Sequence, residues 1–119
     1  MVRGTLPSTS SSVANAMRDN GYDLCDYAQK NWDTLGPKVA GKLHFFAGDM
    51  DDFYLNLAVY RFEEFLKGTE LGKNVPFTYG RPMKGHVWHV MPWAELVRQM
   101  GAHVKKNTPA GADATAWSY

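Results

Sequence analysis

One short apolar run constrains this chain more than anything else in it. Residues 42–47 read as a strand, with Leu43, Phe45 and Phe46 buried on at least one face and Gly48 closing the run. A helical pattern follows at once from Phe53 to Lys67. Leu55, Val59, Phe62 and Leu66 form its apolar stripe, with Ala58 and Phe65 beside it, while Arg61, Glu63, Glu64 and Lys67 fall away from it. A buried strand needs hydrogen-bonding neighbours on both edges, because unpaired backbone groups inside a protein are costly. Only one other candidate exists, Val75–Gly80, and Pro76 weakens it. The pattern therefore predicts the end of a larger parallel sheet, not a whole one.

The flanking segments fit an α/β alternation. Leu24, Ala28, Trp32 and Leu35 predict a helix over Asp23–Leu35, stopped by Gly36-Pro37. Gly68 is expected at the C′ position of the central helix. Pro92 is expected to open a last helix from Trp93 to about Val104, striped by Leu96, Val97, Met100 and Val104. Residues 1–21, Ser-rich and broken by Gly4 and Pro7, are expected to be flexible, and residues 107–119 to form a loose tail. That leaves 22–106 as a partial α/β unit.

Bulk properties narrow the function classes. A chain of 119 residues, 45% hydrophobic, suits one small domain. A net charge of +1 with no basic stripe argues against nucleic acid. No apolar stretch is long enough to span a membrane, and residues 1–17 lack a secretory core, so the default compartment is cytoplasmic. Cys25 stands alone, which excludes a disulfide framework and argues against a Cys-based zinc site. It is expected to pack as a small hydrophobe rather than act as a nucleophile. No cofactor is expected.

Two stretches carry chemistry. Gly48-Asp49-Met50-Asp51-Asp52 follows a strand, the position where α/β proteins gather functional groups. Helix capping explains one carboxylate there, and three exceed that need. Further on, Gly85-His86-Val87-Trp88-His89 places a histidine on a glycine-preceded loop, suited to a general base. His44 is expected to pack in the strand, and His103 to sit favourably at a helix C-terminus.

The order acid, helix, strand, loop histidine is that of the last two members of a Ser…Asp…His triad. "KLHFFAGDMDDFYLNLAVYRFEEFLKG", "FTYGRPMKGHVWH" and the helix after Pro92 together resemble the C-terminal part of esterase-like α/β-hydrolases, over roughly residues 22–105. The resemblance implies an α/β fold: the C-terminal portion of an α/β-hydrolase-type parallel sheet with flanking helices, incomplete as a domain. The family's G-x-x-D motif falls on Gly48 and Asp51, making Asp51 the triad acid. Its Gly-His motif falls on Gly85 and His86, making His86 the base. Asp49 and Asp52 stay open as alternatives for the acid, with Asp52 the expected helix cap. Trp88 is expected to help wall the site.

No G-x-S-x-G occurs in the chain, and Ser8, Ser10, Ser11, Ser12 and Ser118 lie outside any strand–turn–helix elbow. Three readings follow. The chain is a C-terminal fragment of an esterase-like hydrolase, inactive alone, that would act on an ester or acyl substrate when completed by an N-terminal half. Alternatively, it is a binding or structural module of that origin, forming a homo-oligomer through exposed strand edges. Or it is a metal-dependent hydrolase using Asp49, Asp51, His86 and His89.

Overall fold

A computed structural model describes residues 8–115, with side chains from residue 11 onward. The elements are α1 (Ser8–Asp19), α2 (Leu24–Val39), β1 (Phe45–Gly48), α3 (Leu55–Lys67), β2 (Phe77–Gly80) and α4 (Trp93–Lys106). β1 and β2 form a two-stranded parallel sheet in register Phe45↔Phe77 to Gly48↔Gly80, with α3 as the crossover. The described residues form a mixed α/β structure built on this one strand pair.

The packing follows the apolar stripe of α3. Phe45 of β1 stacks on Phe77 of β2 at 4.7 Å and meets Phe62 of α3 at 5.4 Å. Trp32 of α2 sits edge-on to Phe65 from the other side, at 5.3 Å. Leu66 is 0% exposed and Ala28 2%, and these are the buried apolar residues of the described chain. Val97, Met100 and Val104 of α4 stay exposed, as do Leu55, Leu57 and Phe46. The solvent-accessible surface is 9400 Å², against about 6,500 Å² for a folded monomer of this mass. The radius of gyration, 18.3 Å, likewise exceeds the roughly 13.5 Å of a compact domain of this length.

Several boundaries differ from expectation. The segment expected to be flexible is helical from Ser8, and its end is secured locally: Tyr22 N–H donates to Met17 O at 2.9 Å and Arg18 faces Asp23 at 3.9 Å. Residues 1–7 and 116–119, with the expectations that fall on them, lie outside the described residues. Gly36-Pro37 does not stop α2, which runs on to Val39 with Ala40 N–H donating to Gly36 O at 3.0 Å. Pro37 lies in the last turn, where its missing N–H removes a single helical bond. Gly36 instead makes room for neighbours: a Cβ there would stand 3.0 Å from the Trp32 ring and 3.2 Å from Leu71. Gly68 is the C-cap of α3 in a right-handed conformation (φ −77°), not a left-handed C′ residue. Pro92 is the N-cap of α4 rather than its first helical residue. Residues 107–114 contain no helix or strand.

Candidate active site

The carboxyl ends of β1 and β2 lie side by side, so the loops that leave them meet. Their meeting depends on two glycines in register. A Cβ on Gly48 would fall 2.2 Å from Lys84 O and 2.3 Å from Gly85 O, and one on Gly80 would fall 2.5 Å from the Trp88 ring. Only glycine lets the second loop close onto the strand ends. Met50 N–H then donates to Lys84 O at 2.9 Å and Asp49 N–H to Gly80 O at 3.2 Å.

This closure brings Asp51 and His86, 35 positions apart, into a hydrogen bond of 2.9 Å between Nδ1 and Oδ2. Asp51 is 8% exposed, whereas the His86 side chain is 40% exposed. Burial of the Asp51 carboxyl opposes its ionisation. The hydrogen bond from His86 and those from the Phe53 and Leu55 amides outweigh that cost and hold its pKa below the usual value. An ionised carboxylate can only accept, so Nδ1 carries the proton and the neutral ring keeps its basic lone pair on Nε2. Phe53 braces the ring edge-on, with centroids 4.8 Å apart.

Asp51 also does the work expected of Asp52. Its Oδ1 accepts from Phe53 N–H at 2.8 Å and Leu55 N–H at 3.4 Å, and its carbonyl accepts from Tyr54 N–H at 3.0 Å. That turn delays the helix start to Leu55 and leaves Tyr54, in a left-handed conformation (φ 59°), as an N-cap without a side-chain bond. Asp52 is exposed and does not cap α3; its carboxylate lies beside Gly85. A negative charge near a helix N-terminus is favourable, and Asp51 uses one oxygen for that and the other for His86.

Asp49 is engaged elsewhere. Its Oδ1 accepts from Tyr60 Oη–H and its Oδ2 from Arg81 Nε–H, and these bonds depress its pKa, Arg81 foremost. Arg81 stacks over Tyr79 at 4.9 Å, and the Tyr79 hydroxyl donates to Glu63. Burial, followed by the Glu63 carboxylate, pushes the Tyr79 phenol well above its usual range. Tyr60, Tyr79, Glu63 and Arg81 escaped the sequence reading. A signal was available: Asn56 and Tyr60 recur at one helical spacing behind Asp49, and Arg81 directly follows the strand.

The remaining candidates separate. His89 Nδ1 faces Met91 O and its ring lies against Trp93, while His44 and His103 pair with each other at 5.7 Å. Among the described residues, no group of three or more His, Cys, Asp or Glu side chains is placed to hold a metal ion. Asp49, Asp51, His86 and His89 thus do not form one donor set. Cys25 is half-buried, and burial, then the Asp23 charge, raises its pKa, which disfavours the thiolate. Ser11 and Ser12 are exposed on α1. No described helix is long and apolar enough to cross a membrane.

Comparison with protein-family models, curated proteins and solved structures finds no match to this chain. The functional reading rests on the geometry of the site.

Proposed function

We propose that this chain carries the acid and the base of a serine-type acyl-ester hydrolase, with the nucleophile supplied by polypeptide outside these 119 residues. The observation that carries the reading is the 2.9 Å hydrogen bond between the buried Asp51 carboxyl and Nδ1 of a half-exposed His86. Asp51 fixes the tautomer and stabilises the imidazolium. His86 Nε2 takes the proton of a serine hydroxyl as its oxygen attacks the ester carbonyl, then gives it to the departing alcohol. Water, deprotonated by the same nitrogen, releases the acyl group. No G-x-S-x-G supplies that serine from within the chain.

The surplus of accessible surface, about 2,900 Å² over a compact monomer, supports a chain that docks against further polypeptide. Each strand also has one edge facing no described strand. Completion of the sheet, by an N-terminal hydrolase half or by a second copy of the chain, accounts for both features. The scattered donor set gives the metal-dependent alternative no comparable support.

The test begins with the coding sequence upstream of Met1. Expressed as it stands, the chain is expected to show no burst of p-nitrophenol from p-nitrophenyl acetate. Joined to an in-frame strand–G-x-S-x-G–helix segment, it is expected to hydrolyse the ester and take up a fluorophosphonate label. In that protein His86→Ala should abolish turnover, and Asp51→Asn should lower it by about 10⁴. Full activity in His86→Ala, or an upstream frame without any nucleophile segment, overturns the reading.

A further inference from the structure

Asp49 is adjacent to the site without belonging to the acid–base pair, and its contacts are unusually complete. Its amide N–H donates to Gly80 O at 3.2 Å, at the end of β2. Its carbonyl accepts from Asn56 Nδ2 at 3.1 Å, in the first turn of α3. Its two carboxylate oxygens take Tyr60, one turn further along α3, and Arg81, the first residue of the second loop. One residue thus ties together the end of β1, the start of α3 and the root of the loop that carries His86. Asp51 lies two positions beyond Asp49, and His86 five beyond Arg81.

A helix cap or a surface ion pair needs none of this convergence. Arg81 is 63% exposed, and an exposed ion pair by itself contributes little to stability. The pair's value lies in what it fixes. Both Asp49 oxygens are engaged by Tyr60 and Arg81, and it is Asp51 that meets His86. With Arg81 held at the strand end, the path of the second loop is set from its first residue. The Tyr79 ring lies under the guanidinium, 4.9 Å from its centroid to Cζ, and adds a cation–π contact.

We propose that Asp49 and Arg81 are positioning residues: their ion pair locks the Asp51 loop to the His86 loop and so sets the Nδ1–Oδ2 hydrogen bond. This rests on the assignment of Asp51 and His86 as an acid–base pair.

The experiment is proton and nitrogen NMR of the imidazoles in the full chain, which needs no nucleophile. The wild-type protein should show a low-field Nδ1–H resonance, assigned to His86 by its loss in His86→Gln. Arg81→Gln removes an exposed side chain, and its far-UV circular dichroism should match wild type. Its His86 Nδ1–H should exchange about tenfold faster with solvent or be lost, as expected when closure of the loops weakens. Asp49→Asn keeps an acceptor for Tyr60, removes the charge facing Arg81, and should give the same change. Arg81→Lys, which retains the cation, should recover part of the protection. A His86 resonance unchanged in both Arg81→Gln and Asp49→Asn overturns the positioning role and leaves the acid–base pair standing. A wild-type protein with no such resonance overturns both assignments.

Discussion

The two ends of this molecule's organisation differ in kind. Around the strand ends, Asp51 is buried by its own loop and by hydrogen bonds from His86, Phe53 and Leu55, and Asp49 is bound at both carboxylate oxygens. The helical body has much less of its own to hold it. Leu66 and Ala28 are its buried apolar residues, while Val97, Met100 and Val104 of α4 face solvent. The site is therefore organised by short-range polar bonds and close backbone approach, which a few residues can supply. The body depends on apolar area, which scales with the amount of polypeptide present. The Asp51–His86 pair is thus well formed beside a body with little buried apolar area of its own.

The sharpest way to break this contrast is Leu66→Ala. Removing the one large side chain that is fully buried among the described residues should cost about 2–5 kcal/mol, read as a lower urea midpoint. For a domain of this length total stability is only about 6–18 kcal/mol, so the loss should be conspicuous. Should the midpoint not move, the α2–α3–β1 packing is not what holds the body together.

Gly48→Ala attacks the other end. The added Cβ meets the Lys84 and Gly85 carbonyl oxygens, which are backbone atoms and cannot rotate away. The second loop must lift, breaking the Met50–Lys84 bond and moving His86 from Asp51, at a cost of about 1–3 kcal/mol. Thermal melting and the His86 imidazole resonances would both register it. An unchanged resonance in a folded Gly48→Ala protein would show that the loops do not depend on close approach at Gly48.

Much of the local order could be read from the residues themselves, because it has local causes. The stripe Leu55, Val59, Phe62, Leu66 placed α3, and the strand–glycine–acid order placed the first loop. Asp51 and His86 are expected as partners from the resemblance, with Asp49 and Asp52 open as alternatives, and the structure places Asp51 within 2.9 Å of His86. Other features depended on partners far along the chain. Arg81 meets Asp49 across 32 positions, which no periodicity announces. Gly36-Pro37 reads as a stop, yet Trp32 and Leu71 press onto Gly36 and the helix continues past it. Asp52 reads as the cap when the helical pattern is taken to start at Phe53. The turn closed by Asp51 moves that start by two residues, and the capping duty moves with it.

The smallest expected effect concerns acid, and it separates the two regions by charge. Five described carboxyls have pKa values below their usual range in the folded protein: Asp49, Asp51 and Glu63 around the sheet, Glu95 through Gln99 and then Arg98, and Asp113 through Thr115. Asp49 owes this to Arg81 first and then Tyr60, and Glu63 to Lys67 and then Tyr79. In Asp51 burial opposes the shift, and the His86 and backbone hydrogen bonds outweigh it. A carboxyl whose folded pKa is depressed contributes stability that is complete above its unfolded value, 3.8 for Asp and 4.5 for Glu. That contribution disappears as pH falls through the lower folded value, because the unfolded chain then binds more protons. Urea midpoints should thus be flat above about pH 5 with respect to these groups and decline below about pH 4. Two of the five, Asp49 and Asp51, lie at the strand ends, so Asp49→Asn should lower the midpoint near neutrality and shallow its decline in acid. A profile as steep in Asp49→Asn as in wild type would show that the Arg81 and Tyr60 bonds to Asp49 add nothing to the acid sensitivity, leaving it to Asp51, Glu63, Glu95 and Asp113.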